Sequence, residues 1–229
     1  MKAAATPLKR CMNEDAHIIE IGVDEAGRGP LFGRVYTAAV ILPKDDSFDF
    51  SKVKDSKKFH SKRKIEEVAA YIKEHSLAWC VTYCDEKTID EINILQATQQ
   101  SMHQSIQGAK EQYCKRETGP CTFHLLIDGN YFNPITTFNK ATNKIEMIPY
   151  VTVEGGDNTY ASIAAASILA KVGRDTYIEQ LCAENPELVE FYGIDSNKGY
   201  GARKHLEGIK EHGITIWHRR SFAPCKNYV

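Results

Sequence analysis

The sequence predicts an α/β layered domain, and three observations carry this prediction. Runs of strand length, apolar or alternating, occur five times along the chain, at residues 18–23, 35–42, 77–83, 123–127 and 147–153. Stretches with helical spacing of apolar residues lie between several of these runs. Strands that open a chain and then alternate with helices are typical of a sheet covered by helices.

The first half of the chain supplies three of these strands and two helices. Strands 18–23 and 35–42 are joined by a glycine-rich turn, and Pro43 ends the second. A third strand, 77–83, precedes a long helical pattern at 88–114. An earlier helix at 62–75 is predicted because its apolar side chains recur on one face, at Ile65, Val68, Ala69 and Ile72.

The second half continues the alternation and ends in a tail. The continuous apolar run 123–127 is typical of a buried strand, and a helix is predicted at 161–181. A loop from Asn185 leads to a short helix at 203–212. The predicted organisation is a loose N-terminal leader, an α/β domain and a helical cap packed on it, at residues 1–15, 16–184 and 185–229.

The amino-acid composition excludes only a few classes of function. The chain has 229 residues and a net charge of −1, so its global charge gives no argument for a nucleic-acid partner. The seven cysteines, Cys121 among them, include no C-x-x-C pair, which argues against a zinc site and a disulfide scaffold. The sequence shows no secretory signal, and the small-apolar run 161–170 is too short to span a bilayer. We therefore expect a soluble cytoplasmic protein without a membrane partner.

Carboxylates follow three of the predicted strands directly. Asp24 and Glu25 end the first strand, Asp128 ends the fourth, and Asp157 follows the fifth across two glycines. Ligands of α/β sheets bind beyond the carboxyl ends of the strands. We therefore expect these side chains to converge on one site.

Each of these acids also has a purely structural interpretation. Asp128 could start a turn with the glycine that follows it, and Asp157 could cap the next helix. Asp24 and Glu25 could be solvated loop acids. Neighbouring strand residues point to opposite faces, so Asp24 and Glu25 can serve one site only if the strand ends or bends there.

Four clustered carboxylates repel one another unless cations neutralise them. Oxygen ligands without thiolate or imidazole favour Mg²⁺ or Mn²⁺ over zinc. Two such ions about 3.5–4 Å apart suit in-line displacement at phosphorus, because one activates water while the other stabilises the leaving oxygen. The acids therefore indicate a two-metal site that acts on a phosphodiester.

Local groups of basic residues offer a surface for phosphates. One group lies at residues 52–64, and a looser one comprises Lys198, Arg203, Lys204, Arg219 and Arg220. A charge run is most often a solvated face, but Ser, Gly, His and Tyr rather than Glu accompany these runs, which favours a phosphate backbone as ligand. Arg28 fits the same interpretation, because the glycines on both sides of it let backbone N–H groups approach a ligand.

Seven stretches of the sequence carry a family resemblance. They run in the family's order from residue 18 to residue 224 and read GVDEAGRGPLFG, DSKKF, NILQAT, LLIDGN, GGDNTYASIAAASILAKVGRD, NKGYGARKHLEGIKEHG and HRRSFAP. On these stretches the chain resembles the type 2 ribonucleases H, ribonuclease HII. The short motif DEAG alone would be weak, whereas the ordered set is specific.

The resemblance implies a ribonuclease H-like fold, with a mixed five-stranded sheet flanked by helices and a C-terminal helical extension. It implies an endonuclease that cleaves RNA in RNA–DNA hybrids and at single ribonucleotides embedded in duplex DNA. The products would carry 3′-hydroxyl and 5′-phosphate ends. No partner subunit is implied, so we expect a monomer.

Position by position, the resemblance also implies roles for individual residues. The family's metal-binding acids fall on the four carboxylates already singled out, Asp24, Glu25, Asp128 and Asp157. Its ribose sensor falls on Gly27, Arg28 and Gly29, and its junction-sensing tyrosine falls on Tyr200. Its phosphate contacts fall on Lys57 and Lys171. Without the family pattern, Tyr200 would be interpreted as a half-buried loop aromatic.

The sequence departs from the family's pattern at three positions. Arg34 stands where proline is usual, Asn197 where histidine is usual, and Ala202 where threonine is usual. Arg34 is expected to loosen the turn and to add a cation near the site. Asn197 and Ala202 lie near Tyr200 in sequence, so they bear on substrate preference.

Three other functions compete with this one. Ribonuclease HIII typically has lysine in place of Arg28, lacks the proline after the turn, and usually carries an N-terminal domain that residues 1–15 are too few to form. A catalytically silent hybrid-binding protein would gain nothing from four mutually repelling acids. A DNA-specific phosphodiesterase on the same fold would not explain Gly27-Arg28-Gly29 together with Tyr200.

Overall fold

The structure is a computed structural model that describes residues 7–117, 119, 122–139 and 143–228. Residues 1–6 of the predicted leader and Cys121 lie outside these ranges. The strands are β1 (Ile18–Ala26), β2 (Val35–Ile41), β3 (Ala78–Cys84), β4 (Thr122–Asp128), β5 (Thr136–Asn139), β6 (Lys144–Met147) and β7 (Tyr150–Val153). The helices are α1 (Lys62–His75), α2 (Glu86–Arg116), α3 (Ala161–Glu184), α4 (Glu187–Tyr192), α5 (Ile194–Asn197) and α6 (Arg203–His212).

Five of the strands form one mixed sheet in the order β3-β2-β1-β4-β7. β2 pairs antiparallel with both β1 and β3, while β4 pairs parallel with both β1 and β7. This arrangement confirms the predicted α/β fold with a mixed five-stranded sheet. In the described part of the chain, no helix is both long enough and apolar enough to cross a membrane.

The two faces of the sheet bury different helices. Ile21 and Val23 of β1 pack with Met102 of α2 on one face. Gly22 faces the other way, where an added Cβ would stand 2.2 Å from the carbonyl carbon of Ser162 in α3. The backbone of α3 therefore lies directly on β1, and α1 packs beside α3 on the same face. Even-numbered residues of β1 consequently point towards α3.

Two predicted elements differ from the structure. The single strand predicted at 147–153 is wrong, because β6 ends at Met147 and pairs only with β5, while β7 joins the main sheet. Pro149 stands between them and has no N–H group for a ladder. The predicted helix 88–114 begins earlier, at Glu86, because the Asp85 side chain accepts a 2.9 Å hydrogen bond from the Thr88 N–H.

The tail packs on the main domain through a separate apolar cluster. Leu188, Tyr192 and Ile209 contact Leu31 and Phe32 of the β1–β2 turn. Helix α6 lies where it was predicted, whereas the short helices α4 and α5 were not predicted. The division of the chain at residues 15 and 184 stays a prediction.

Residues of the leader that the structure describes contact the start of α3. The N–H of Lys9 donates to the carbonyl of Thr159 at 2.8 Å, and its carbonyl accepts from the N–H of Ala161 at 2.9 Å. The Glu20 carboxylate accepts hydrogen bonds from the N–H groups of Met12 and Asn13. The bonds of Glu20 lie near the start of β1, whereas those of Lys9 directly follow the turn that holds Asp157.

Candidate active site

The register of the two central parallel strands brings two of the predicted acids together. Val23 of β1 pairs with Ile127 of β4, so Asp24 and Asp128 occupy the next position on each strand. Gly22 faces α3, so Asp24, two residues on, faces α3 as well. The two carboxylates therefore leave the sheet on the same side, at the carboxyl ends of adjacent strands.

Asp24 is an almost fully buried carboxylate, with 4% of its surface exposed. Its Oδ1 accepts a 2.7 Å hydrogen bond from the N–H of Glu25. Burial raises the pKa of Asp24 well above its ordinary value, and the charges of Glu25 and Asp128 raise it further, while a hydrogen bond from Ser167 acts in the opposite direction. None of the ion pairs among the described residues involves Asp24.

Glu25 lines the same cleft although it follows Asp24 directly in the strand. The strand does not end between the two acids, because β1 continues to Ala26. Burial raises the pKa of Glu25, and the charge of Asp128 raises it further. Arg28 lowers this pKa, because its Nη1 lies 3.5 Å from the Oε1 of Glu25. Two adjacent acids therefore share one cleft at the point where the strand leaves the sheet.

Asp128 and Asp157 meet beside the turn that precedes α3. The Oδ1 of Asp128 accepts a 2.7 Å hydrogen bond from the N–H of Gly156. Burial and the charge of Asp157 raise the pKa of Asp128, although the Gly156 hydrogen bond acts in the opposite direction. Asp157 is 4% exposed and its Oδ2 lies 3.7 Å from the Nζ of Lys57.

The capping interpretation of Asp157 is wrong. Asp157 lies in a short 3₁₀ turn, Gly156–Asn158, and the N-cap position of α3 is Tyr160, which makes no side-chain cap. The Oδ1 of Asp157 instead accepts a 3.0 Å hydrogen bond from the side-chain amide of Asn158. Its carboxylate is therefore free of the helix and faces the other acids.

The four carboxylates lie near one another but do not have the geometry of a metal site. Among the described residues, no three His, Cys, Asp or Glu side chains stand ready to ligate one ion. The proximity of the acids shows in their electrostatics, since the charges of Glu25 and Asp128 act on Asp24 and the charge of Asp157 acts on Asp128.

Three of the acids, Asp24, Glu25 and Asp128, line a cleft of about 510 Å³. The glycine-rich turn forms one wall, and Gly27 there adopts a φ of +94°, which a residue with a side chain rarely adopts. Tyr200 also lines the cleft and is about half exposed, at 51%. A Cβ on Gly29 would lie 3.4 Å from the Tyr200 ring, so the turn and the tyrosine are in close contact.

The two predicted phosphate contacts also border this cleft. The Lys57 side chain is 82% exposed. Its partial burial lowers its pKa, but the charges of Asp157 and Asp55 outweigh this effect, so the pKa of Lys57 is raised. Lys171, on α3, lies 2.8 Å from the Oδ2 of Asp175. Lys57 thus presents a charge beside the carboxylates, whereas the charge of Lys171 is already paired.

The protein was next compared with known families and structures. The family model described as Ribonuclease HII matches residues 21–225. The chain belongs to the ribonuclease HII family. It is therefore a hydrolase and an endoribonuclease, as the resemblance implied, and the match favours HII over the sister type HIII.

Relatives of this ribonuclease HII cover nearly the whole chain. The Ribonuclease HII of Bacteroides thetaiotaomicron is 45% identical over 211 residues, which are 92% of this chain and 92% of that protein. The ribonuclease H2 of Pyrococcus horikoshii OT3 shares the fold, with a TM-score of 0.64 and 21% identity over 91% of this chain and 96% of that one. Bst-RNase HIII, solved in complex with Mn²⁺, has a TM-score of 0.63 and 20% identity over 93% and 69% of the two chains.

Sequence reasoning missed several residues of this ribonuclease HII site. Ser167 hydrogen-bonds to Asp24 and also lies 2.9 Å, Oγ to Oγ, from Ser56. Arg174 lines the cleft and donates to the carbonyl of Lys198 at 2.7 Å. Ser167 sits in a small-residue helical run that looks like ordinary packing surface, so sequence alone gave no signal for it.

Fewer residues of the two basic groups are free to contact phosphates than the sequence suggests. Lys62 lies 2.5 Å from Glu179 and Arg63 lies 2.7 Å from Glu67, so parts of the 52–64 group do have acidic partners. Arg219 is fully buried and cannot contact a phosphate backbone from its position. The expected phosphate surface of this ribonuclease HII is therefore narrower than predicted.

The three departures from the family pattern have distinct surroundings. The guanidinium carbon of Arg34 lies 4.1 Å from the Tyr83 ring centroid and 4.3 Å from that of Tyr177, a stacked cation–π arrangement. Arg34 does not line the carboxylate cleft. The side chain of Asn197 donates to the carbonyl of Tyr192 at 2.7 Å and accepts from the N–H of Gly199, which fixes the approach to Tyr200. Ala202 is the N-cap residue of α6 and makes no side-chain cap.

Proposed function

We propose that this ribonuclease HII cleaves the RNA strand of RNA–DNA hybrids, and also cuts at single ribonucleotides embedded in duplex DNA, with Mg²⁺ or Mn²⁺ bound by Asp24, Glu25, Asp128 and Asp157. The observation that carries the proposal is that Asp24, Glu25 and Asp128 line one cleft, with Asp157 beside Asp128 at the turn before α3. That cleft also borders the turn Gly27-Arg28-Gly29 and Tyr200, which the family pattern assigns to substrate.

The residues fit a hard divalent cation. Burial and mutual repulsion raise the pKa values of Asp24, Glu25 and Asp128 in spite of their hydrogen bonds and of Arg28, so a cation bound among them would stabilise their charged forms. All the donors are carboxylate oxygens, which suit Mg²⁺ and Mn²⁺ rather than zinc. Mn²⁺ bound to Bst-RNase HIII, a protein of the same fold, makes Mn²⁺ a natural ion to test.

When bound, two divalent ions would supply an activated water and stabilise the leaving oxygen, which gives 3′-hydroxyl and 5′-phosphate ends. The chain's own contribution is positioning. Asp24 and Asp128 are fixed by adjacent strands of the sheet, and backbone N–H groups of Glu25 and Gly156 orient their Oδ1 atoms.

Recognition of a ribose is assigned to the turn and to Tyr200. The 2′-hydroxyl both donates and accepts hydrogen bonds, and a backbone turn can offer both kinds of partner. Arg28 lies between the turn and the acids, since its Nη1 is 3.5 Å from Glu25. The exposed ring of Tyr200 stands against Gly29, where it can stack on the sugar beyond the ribonucleotide.

Contacts with the phosphate backbone are assigned to two lysines. Lys57 is exposed and lies close to Asp157, so it can meet a phosphate next to the carboxylates. Lys171 must exchange its Asp175 partner for a phosphate. We also infer that the enzyme acts as a monomer, because residues of one chain complete the cleft; sedimentation at the working concentration tests this.

Mapping of the cut site tests the proposed function. The substrate is duplex DNA with one ribonucleotide, and the control is the same duplex with a deoxyribonucleotide at that position. We expect cleavage on the 5′ side of the ribonucleotide with Mg²⁺ or Mn²⁺, none of the control, and poor activity with zinc. Cleavage of both duplexes, or activity that survives exhaustive chelation with EDTA, would contradict the proposal.

A further inference from the structure

The buried guanidinium of Arg219 is hydrogen-bonded to the backbone of the substrate-facing turn. Its Nε donates to the carbonyl of Gly33 at 2.8 Å, and its Nη2 donates to the carbonyl of Gly27 at 2.6 Å. Its Nη1 donates to the carbonyls of Arg28 and Pro30, at 2.9 and 2.8 Å. The Arg219 side chain therefore hydrogen-bonds to both ends of the turn, at Gly27 and Gly33, and to residues between them.

The direction of these bonds decides where the turn's N–H groups point. In a trans peptide the C=O of one residue and the N–H of the next point in opposite directions. Because the carbonyls of Gly27 and Arg28 face Arg219, the N–H groups of Arg28 and Gly29 face away from it. Within the described residues neither N–H has a protein acceptor, and both residues line the cleft.

Arginine suits this position better than other cations. Its planar fork offers five N–H donors in fixed directions, whereas lysine offers three donors from a single atom. The acceptors here are spread around the fork, so one ammonium cannot reach them all. Burial and the nearby charge of Arg174 lower the pKa of Arg219 to about 9, so the guanidinium still carries its charge at pH 7.

The segment that carries Arg219 is itself anchored from two sides. Its own N–H donates to the carbonyl of Leu31 at 2.9 Å. The carboxylate of Asp90, in α2, accepts from the N–H groups of Arg220 and Ser221 at 2.8 and 2.9 Å, and from the Ser221 hydroxyl at 2.6 Å. Arg219 is thus held in place by α2, a helix on the far side of the sheet from α3.

We propose that Arg219 is a positioning residue for ribose recognition, because it turns the N–H groups of Arg28 and Gly29 towards the substrate. The inference rests on the proposed function, since it takes the turn Gly27-Arg28-Gly29 as the contact to the ribose. Arg219 itself touches no substrate. It acts by holding the backbone that does.

The test compares how strongly variants prefer a ribose over a deoxyribose. Binding of a duplex with one ribonucleotide and of the matched all-DNA duplex is measured on the Asp24→Asn background with Mg²⁺, so that cleavage does not interfere. The readout is the ratio of the two dissociation constants. A smaller folded fraction in a variant preparation cancels in this ratio, so a purely structural defect leaves it unchanged.

We expect Arg219→Lys and Arg219→Gln to lower this preference at least about fivefold. The matched control is Arg10→Lys, because Arg10 is exposed, lies outside the cleft and both basic groups, and its charge is kept; we expect its ratio to stay within about twofold. An unchanged ratio in folded Arg219→Lys overturns the inference. If neither Arg219 variant folds, Asp90→Ala replaces them, since it releases residues 220 and 221; a lowered ratio supports the inference and an unchanged one overturns it.

The failure of the inference is distinguishable from failure of the proposed function. If the Asp24→Asn protein with Arg219 intact shows no preference for the ribonucleotide, the ribose contact assigned to the turn is wrong. If that protein shows the preference and the Arg219 variants keep it, only the role of Arg219 is wrong.

Discussion

The Nε2 atoms of His205 and His218 lie 3.0 Å apart in the interior of the tail. The Nδ1 of His205 is 2.8 Å from the carbonyl of Tyr200, which can only accept, so this nitrogen carries a proton. The Nδ1 of His218 accepts from the N–H of Thr215 at 2.9 Å, so the proton of His218 is on Nε2. The chain of donors therefore runs from Thr215 through both rings to Tyr200 and requires both imidazoles to be neutral.

This chain predicts a loss of stability on mild acidification. Burial and the neighbouring His205 lower the pKa of His218 from its ordinary value to about 3. Between that value and pH 6.5 the unfolded ring binds a proton and the folded ring does not, so stability falls as the pH falls. From pH 7 to pH 5, His218 alone should cost about 2 kcal/mol of the free energy of unfolding.

The ring resonances of His218 in NMR spectra measure this effect directly. They should not titrate between pH 7.5 and 5. A site-resolved measurement is preferable because the raised pKa of Asp24 changes global stability in the opposite direction. A midpoint near 6.5 for His218 would contradict the donor chain.

Asp24→Asn should abolish cleavage but leave hybrid binding largely intact. The asparagine Oδ1 can still accept from the N–H of Glu25, while one buried, repelled charge is removed. Without metal the variant should therefore be more stable than the natural protein, seen as a higher Tm. Added Mg²⁺ should raise the Tm of the natural protein more than that of the variant.

Melting curves and filter binding check this prediction. A variant that loses hybrid binding together with cleavage, or that melts lower without metal, would indicate a structural role for Asp24. Thr137→Ala is a suitable control, because Thr137 lies in the exposed hairpin of β5 and β6 and should change neither activity nor metal response.

Tyr200→Ala should reduce cleavage at a single embedded ribonucleotide more than cleavage of a long hybrid. The half-exposed ring stands against Gly29 at one wall of the cleft, where it can stack on the deoxyribose that follows the ribonucleotide at a junction. Tyr200→Phe keeps the ring and separates stacking from the hydroxyl. Values of kcat/KM on both substrates decide, and equal losses would mean that Tyr200 does not sense the junction.

Gly22→Ala should be severely destabilising, by more than about 3 kcal/mol. The added Cβ would meet backbone atoms of α3, at 2.2 Å from the carbonyl carbon of Ser162 and 2.5 Å from the nitrogen of Ile163. Gly119→Ala is the matched control, because a Cβ there meets nothing within 4 Å. Urea unfolding measures both, and a loss below 1 kcal/mol for Gly22→Ala would show that α3 can move off the strand.

The elements that sequence patterns predicted best are those with one buried face. Helix α1 was predicted with its observed bounds, Lys62–His75, because its apolar residues repeat on one side. The hairpin of β5 and β6 was missed because its side chains are exposed and carry no buried pattern. The break at Pro149 was missed because the flanking residues form one continuous β-like run.

The four candidate acids could be found from sequence because each follows a predicted strand. The residues that hold the neighbouring turn in place, Arg219 above all, could not be found in this way. Arg219 looks like a surface cation in a basic group, and nothing local indicates that it is buried. Its acceptors lie 186 to 192 residues earlier in the chain, and such distant pairings are set only by the fold. The roles of the site residues stay predictions until they are tested.

The bond between Arg219 and Gly27 has a consequence for the order of events during synthesis. The two residues are 192 positions apart, so the ribosome has released the turn long before Arg219 is made. The carboxylates of β1, β4 and the turn before α3 precede Arg219 as well. A nascent chain can thus make its four carboxylates before the side chain that holds the turn, so the proposed role of Arg219 in sugar selectivity would begin only after the acids are in place.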